Sequence, residues 1–224
     1  MMKKNEAAFS LPAGFTITAH AGAMDTPANS LESLAVGLQN ADIAEVDISV
    51  FDDGTLALFH GHHAPDGSPP LKAAFEILAQ YPDKRMNLDL KVFSNCAELQ
   101  SLAEECGVLD QVFFTGVFKS DVERVRADAP KIPYYLNINI NPFLKYSVSY
   151  AHRLVKTVQQ FGALGMNCNH RNLTQLLVHT FHKHELLVSV WTVRNDSQMK
   201  KVLRLAPDNM TTTLPDKARA MLQK

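Results

Sequence analysis

Short apolar runs rich in β-branched residues alternate with longer amphipathic stretches along the chain. This alternation is typical of βα units built around a parallel sheet. The pattern predicts eight strands, at residues 15–19, 43–50, 86–91, 111–115, 134–138, 165–168, 186–191 and 209–212. A further short strand at 56–59 follows the second one across the turn Asp52-Asp53-Gly54, which is a hairpin signal.

Helical spacing predicts helices between these strands, at residues 30–40, 71–80, 95–106, 147–161 and 173–184. Asn29 and Glu32 fit a capping box at the start of the first helix, and Gly107 fits the left-handed residue that ends the third. Eight strands followed by helices predict an α/β fold, the (β/α)8 TIM barrel, as one domain over residues 1–224. The alternative is an open doubly wound sheet, but no GxGxxG or Walker A pattern follows a strand.

Carboxylates lie on two neighbouring strands of the predicted barrel. Glu45 and Asp47 are two residues apart, so both point to the same face of their strand, and Asp89 and Lys91 repeat this spacing on the next strand. Three carboxylates without paired Cys or His ligands suit Mg²⁺ or Ca²⁺ better than Zn²⁺. The alternative is structural, with Glu45 in an ion pair and Asp47 capping a loop.

Two histidines also lie at strand ends, where the active site of a barrel is found. His20 ends the first strand and His60 ends the hairpin, so both are acid/base candidates beside the predicted metal site. His62 and His63 extend the second position into the run HGHH, which could supply a transition-metal ligand or simply form a solvated loop. Trp191 lies near the end of the seventh strand.

The composition limits the choice of partner. The 22 Lys+Arg balance 23 Asp+Glu, so the net charge of −1 gives no support for binding nucleic acid. The three cysteines lack CxxC spacing and are expected to be reduced and inert. No export signal and no apolar run of ~20 residues is visible, so we expect a cytoplasmic protein without stable membrane insertion. The sequence does not predict the oligomeric state. Phe118, Asn137 and Asn139 are weaker candidates for residues that shape substrate specificity, because they lie near strand ends.

Several short motifs, in order along the chain, resemble those of a known family, the glycerophosphodiester phosphodiesterases, within the broader group of phosphatidylinositol-phospholipase-C-like barrel phosphodiesterases. The motifs are His20-Ala21-Gly22, Pro27-Ala28-Asn29-Ser30, Glu45-Val46-Asp47, Asp52-Asp53-Gly54, His60-Gly61, Asn87-Leu88-Asp89-Leu90-Lys91, Trp191-Thr192-Val193-Arg194-Asn195 and Thr212-Thr213-Leu214-Pro215. Each motif is short, but together they are strong because they fall on the predicted strand ends.

The resemblance implies a (β/α)8 barrel that hydrolyses a glycerophosphodiester to glycerol 3-phosphate and an alcohol, in lipid and glycerol metabolism. The implied substrate is a small phosphodiester, and the implied cofactor is a divalent cation, Mg²⁺ or Ca²⁺. The implied site residues are His20 and His60 as the acid/base pair, Glu45, Asp47 and Asp89 as metal ligands, Lys91 as a phosphate contact and Trp191 as a pocket wall.

Three departures from the family pattern matter. Ala21 stands where the family has an arginine, which removes a bidentate phosphate donor. Asp89 replaces a glutamate and Gly61 replaces an aspartate, and the stretch from His60 to Asn87 is too short for a separate insertion subdomain. The same changes resemble the sphingomyelinase D-like phospholipases D, which would release a head group. A barrel that binds a phosphodiester without turnover is the third possibility.

Overall fold

Within the described residues, the first and last strands pair with each other and close a barrel. The computed structural model describes residues 9–223, and the strands within them are β1 (Thr16–Ala19), β2 (Ile43–Val50), β3 (Leu56–Leu58), β4 (Arg85–Leu90), β5 (Val112–Val117), β6 (Tyr134–Asn137), β7 (Gly165–Asn169), β8 (Leu187–Val193) and β9 (Asn209–Thr212). All eight predicted barrel strands are present, with ends shifted by at most one residue apart from the two-residue extensions at the ends of β5 and β8.

Strand pairing settles the choice between the two predicted folds. The parallel order runs β1-β2-β4-β5-β6-β7-β8-β9, and β9 returns to β1 with Ala19 opposite Thr212. Ala19 is also opposite Ala44 of β2, so β1 has a partner on each side. The barrel is therefore a closed (β/α)8 barrel and not an open sheet. β3 is antiparallel to β2, as the hairpin signal predicts.

Helices cover the outside of the barrel. They are α1 (Leu31–Asn40), α2 (Leu71–Leu78), α3 (Cys96–Glu105), α4 (Val122–Asp128), α5 (Val148–Phe161), α6 (Gln175–His182), α7 (Asp196–Leu205) and α8 (Pro215–Leu222). The five helices with predicted bounds are all found, and Gly107 is left-handed after α3 as predicted, with φ of 70°. Between β3 and β4 there is a loop and α2 alone, so the barrel carries no insertion subdomain there.

The predicted capping box at the first helix is wrong. Ser30 caps α1, and its hydroxyl accepts a hydrogen bond from the Ser33 N–H at 3.0 Å. Asn29 lies one residue before the cap in a left-handed conformation, with φ of 57°, and its side chain bonds to Asp47 instead. A long-range bond thus takes the side chain that local sequence assigned to the helix.

The interior of the barrel is filled differently at its two ends. Ile43, Phe113 and Tyr135 form a separate apolar cluster at the start of their strands, and Arg85 stacks over the Phe113 ring at 4.8 Å. The large core lies between the strands and the helices. Since side chains at i and i+2 share one face of a strand, Glu45 and Asp47 follow Ile43 on the inner face. The inner face of β2 therefore changes from apolar to acidic towards its carboxyl end.

Two of the three cysteines are buried in the core. Cys96 and Cys168 are buried and unpaired, and burial raises the pKa of the Cys96 thiol to about 11 and that of Cys168 to about 12. Such thiols are poor nucleophiles, because the reactive form is the thiolate. Within residues 9–223, no helix combines the length and the apolar character needed to cross a membrane.

Candidate active site

A cavity of about 430 Å³ opens at the carboxyl ends of the barrel strands. Its lining contains every site residue predicted from the sequence, namely His20, Glu45, Asp47, His60, Asp89, Lys91 and Trp191. The weaker candidates Phe118, Asn137 and Asn139 line it as well. His62 and His63 are exposed and do not contribute to the lining, so the loop interpretation of the HGHH run fits their positions.

The three predicted carboxylates come together in the cavity. Asp47 of β2 lies opposite Asp89 of β4 in the parallel register, and Glu45 lies one inward position below Asp47. One carboxylate oxygen from each residue lies within 4.8 Å of the others. Glu45 and Asp47 are buried and Asp89 is partly buried, so the cluster forms a set of oxygen atoms that could hold a hard cation.

Lys91 is bound to two of these carboxylates. Its ammonium group donates a hydrogen bond to Asp47 Oδ1 at 2.9 Å and another to Asp89 Oδ2. Burial works to lower the pKa of Lys91, but the charges of Asp89 and Asp47 outweigh it and raise the pKa above its ordinary value. The lysine therefore stays charged, and it neutralises part of the carboxylate cluster.

The side chain of Asn29 binds both the backbone and the side chain of Asp47. The Asn29 amide donates to Asp47 Oδ2 at 2.7 Å, and its oxygen accepts from the Asp47 backbone N–H at 2.9 Å. Burial works to raise the pKa of Asp47, but Lys91 and the Asn29 hydrogen bond outweigh it, so the pKa lies below its ordinary value. These partners hold Asp47 in its ionised form.

Glu45 is in the opposite electrostatic situation. Burial, together with the nearby charges of Asp47 and Asp89, raises the pKa of Glu45 well above its usual range. One hydrogen bond opposes this, because the Ala21 backbone N–H donates to Glu45 Oε2 at 2.8 Å. A positive charge placed between the carboxylates would relieve their repulsion. The cluster is therefore suited to binding a cation.

Asp89 is oriented by the neighbouring strand β5. The Thr115 hydroxyl lies 2.8 Å from Asp89 Oδ1 and 2.8 Å from Asn87 Oδ1. Next to it, Gly116 is left-handed with φ of 78°, and a Cβ there would lie 2.5 Å from the Leu90 carbonyl oxygen and 2.9 Å from Asp89 Oδ1. Glycine at this position thus allows the backbone of β5 to approach the carboxylate.

The two histidines differ in exposure and in partners. The His20 side chain is 28% exposed, and its Nδ1 lies 2.7 Å from the Ala21 carbonyl oxygen, which can only accept. His20 Nδ1 therefore carries a hydrogen, which leaves Nε2 as the free nitrogen, 4.0 Å from Glu45 Oε2. Burial lowers the pKa of His20. His60 is 76% exposed, and its Nδ1 lies 3.0 Å from Asp47 Oδ2.

The opposite side of the cavity is lined mainly by uncharged amides. Asn137 Oδ1 accepts hydrogen bonds from Asn167 Nδ2 at 3.0 Å and from the Gly116 backbone N–H at 3.2 Å. We call Glu45, Asp47, Asp89 and Lys91 the acidic half of the cavity. The amide half consists of Asn137, Asn139, Asn167, Trp191 and Arg194. The Trp191 indole N–H is buried without a hydrogen-bond partner among the described residues.

The sequence analysis did not predict a site role for Asn29, which binds Asp47, or for the lining residues Thr115 and Arg194. Asn29 lies within a family-like motif, but its side chain was assigned to the helix cap. Thr115 ends the predicted strand 111–115, so the strand-end rule that indicated His20 indicates it too. Arg194 lies three residues beyond the predicted strand 186–191, because β8 is longer than predicted and extends to Val193. Arg194 directly follows β8 and lines the cavity, with an exposed side chain.

The fold and cavity define a (β/α)8 barrel with a charged site at its carboxyl end, which is the usual position of the active site in enzymes of this fold. Residues 73–217 match the model of the glycerophosphoryl diester phosphodiesterase family. Because this match covers more than half of the chain, the protein belongs to that family and is a phosphodiesterase. The match includes Asp89, Lys91 and Trp191 but begins after His20, Glu45, Asp47 and His60.

Solved structures agree on the fold. An Oleispira antarctica phosphodiesterase in complex with the product sn-glycerol-3-phosphate is 18% identical with a TM-score of 0.73, and the alignment covers 96% of this chain and 98% of that one. Glycerophosphodiester phosphodiesterases from Parabacteroides distasonis and Thermotoga maritima are 14% and 16% identical, with TM-scores of 0.74 and 0.71. These alignments cover 94% and 92% of this chain and 97% of each relative. No curated protein sequence matches the chain.

Proposed function

We propose that the protein is a metal-dependent hydrolase that cleaves glycerophosphodiesters to glycerol 3-phosphate and an alcohol by His/His acid-base catalysis. The observation that carries this proposal is the meeting of three carboxylates, two histidines and a lysine in one cavity. Membership of the glycerophosphoryl diester phosphodiesterase family supports the reaction type. The structurally similar phosphodiesterase with bound sn-glycerol-3-phosphate supports the product.

Glu45, Asp47 and Asp89 would hold the divalent cation. Their oxygen atoms are close enough to share one ion, and the raised pKa of Glu45, caused by burial and by its two acidic neighbours, fits a group that needs a positive charge beside it. Carboxylate oxygens without Cys or His ligands favour Mg²⁺ or Ca²⁺. When bound, such an ion polarises phosphate oxygens and neutralises charge that develops on them.

His20 is the proposed first base. Its Nε2 is the nitrogen free to accept a proton, because Nδ1 is bound to the Ala21 carbonyl oxygen, and burial keeps the ring neutral by lowering its pKa. His60 is the proposed first acid. The Asp47 carboxylate lies 3.0 Å from His60 Nδ1 and orients the ring, which leaves Nε2 free to donate.

The reaction then proceeds in two proton-transfer steps. His20 takes the proton of the attacking oxygen, the neighbouring 2-hydroxyl of the glycerol, while His60 gives a proton to the departing alcohol. A water molecule then opens the resulting cyclic phosphate, with the histidines in exchanged roles. Lys91 contributes positive charge beside the phosphate, and Trp191 forms a wall against the glycerol. A cavity of about 430 Å³ has the size of a site for a small molecule of this kind.

The direct test is the release of glycerol 3-phosphate from glycerophosphocholine by the purified protein. We expect product with Mg²⁺ or Ca²⁺, its loss in EDTA, and its return when the metal is added back. A bell-shaped dependence of kcat/KM on pH should accompany it, because one group must be neutral and one protonated. Metal binding without product from glycerophosphodiesters or lysophospholipids would contradict the proposal and leave a phosphodiester-binding barrel.

The second candidate is phospholipase D-like removal of the head group from a lysophospholipid or a sphingolipid, which breaks the bond between the phosphorus and the head-group oxygen. His60-Gly61 and the spacing of Asp89 and Lys91 favour it, since both resemble that group. The substrate distinguishes the two candidates, because this one releases choline from lysophosphatidylcholine or sphingomyelin and leaves glycerophosphocholine uncleaved. We also propose that residues 1–224 form one domain and that the protein acts in the cytoplasm. Both statements rest on the sequence alone.

A further inference from the structure

Among the described residues, two side chains with a permanent positive charge line the cavity, and they differ in whether a carboxylate neutralises that charge. The Lys91 ammonium is already bound to the carboxylates of Asp47 and Asp89. The Arg194 guanidinium has no hydrogen-bond or ion-pair partner within the described part of the chain, although it lines the same cavity and is exposed. Arg194 is therefore the cation that is free to bind an anion entering the cavity.

The backbone around Arg194 is held in place while the side chain remains free. Its N–H donates to Gln198 Oε1 at 2.8 Å, and the Asn195 side chain accepts from the Gln198 N–H at 3.0 Å to cap α7. On the preceding residue, the Val193 carbonyl oxygen accepts from the Thr212 hydroxyl at 2.8 Å. These bonds fix the point from which the guanidinium extends without binding the guanidinium itself.

Arg194 lies near His20, the residue that directly precedes Ala21. Its charge is close enough to His20 to contribute to the lowering of that residue's pKa, after the larger effect of burial. Ala21, next to His20, stands where the family resemblance predicts an arginine. The family's arginine is thus replaced by Ala21, while another arginine, Arg194, directly follows β8 and lies near His20.

We propose that Arg194 binds the phosphate group of the substrate and replaces the arginine that is absent at position 21. This inference rests on the proposed phosphodiester substrate. The guanidinium offers two parallel N–H donors to two phosphate oxygens, a geometry that an ammonium cannot copy. The phosphate is then held from two sides, by Lys91 in the acidic half and by Arg194 in the amide half.

The test is the affinity for sn-glycerol 3-phosphate, measured by calorimetry with Mg²⁺ present. We expect Arg194→Ala to weaken binding about 10–100-fold, the usual loss for a charge-assisted pair. Arg194→Lys should recover only part of this loss, because it keeps the charge but not the paired donors. Arg204→Ala is the matched control, since Arg204 is exposed on α7 but does not line the cavity. It should bind like the wild type.

The kinetics of glycerophosphocholine cleavage separate this inference from the proposed function. We expect KM to rise in Arg194→Ala by about the same factor as the loss of affinity. If wild type and Arg194→Ala bind sn-glycerol 3-phosphate within twofold of each other while the wild type turns over, the role of Arg194 is wrong and the function stands. If Arg194→Ala loses binding but the wild type cleaves nothing, the function is wrong and the role stands. A wild type that neither binds nor cleaves overturns both.

Discussion

The two halves of the cavity are held in different ways. In the acidic half, the single residue Asp47 has three side-chain partners, Asn29, Lys91 and His60, and these together determine its position. In the amide half, Asn137 and Asn167 bond mainly to each other, and Arg194 has no side-chain partner among the described residues. The difference suggests that chemistry needs fixed charges on one side, whereas recognition leaves donors free for the substrate on the other.

The largest effect should come from removing the charge at the centre of the acidic half. Asp47→Asn takes away one oxygen charge of the metal cluster and the anionic partner of His60. We expect kcat/KM to fall about 10⁴-fold, because a bound metal contributes several kcal/mol and each 1.36 kcal/mol is tenfold. Mg²⁺ affinity, followed by calorimetry, should fall as well. Asp66→Asn, an exposed loop variant that does not line the cavity, should keep both values.

The second effect tests whether proton transfer can be separated from metal binding. His20→Ala removes the proposed base but leaves Glu45, Asp47 and Asp89 in place, so kcat should fall about 10³-fold with Mg²⁺ affinity unchanged. The control is His179→Ala, on the exposed face of α6. Loss of Mg²⁺ binding in His20→Ala would assign this histidine to the metal and not to proton transfer.

The third effect is a gain of stability in the acidic half. The pKa of Glu45 is raised in the folded protein, so the fold binds a proton more tightly than the unfolded chain does, and stability falls as pH rises from the ordinary pKa through the raised one. Glu45→Gln removes this penalty and keeps an acceptor for the Ala21 N–H. In EDTA at neutral pH we expect its free energy of unfolding to be higher by about 0.5–2 kcal/mol.

This gain should depend on conditions in two ways. It should shrink as the pH is lowered through the raised pKa, because wild-type Glu45 then becomes protonated. It should also reverse at saturating Mg²⁺, which stabilises only the protein that binds it. Thermal unfolding with and without EDTA measures both. Equal Tm values for wild type and Glu45→Gln in EDTA at neutral pH would mean that the cluster carries no electrostatic penalty.

The smallest effect is expected in the amide half. Asn137→Ala removes one acceptor for Asn167 and the Gly116 N–H but no charge. We expect KM for glycerophosphocholine to rise about threefold to tenfold with little change in kcat, since a neutral hydrogen bond contributes about 1 kcal/mol. A hundredfold fall in kcat would give the amide half a chemical role and remove the contrast between the two sides.

The sequence predicted the barrel and its charged residues well because both follow from short-range rules. Alternation located β2 at Ile43–Val50 without error, and strand ends pointed to His20 and Lys91. The capping error at Asn29 arose because its partner, Asp47, is 18 residues away and invisible to local pattern. α4 was not given bounds, since Val122 and Val125 are its only buried residues and two apolar positions define no period.

The pairing of β9 with β1 has a consequence for how the chain folds during synthesis. β1 can pair with β2 early, but its other edge waits for Asn209–Thr212. The contacts across this seam, including Asn209 to Thr18 at 2.8 Å, join residues 191 positions apart. Such distant pairing makes folding slow. A growing chain therefore carries an open strand edge, prone to mispairing, until β9 has left the ribosome.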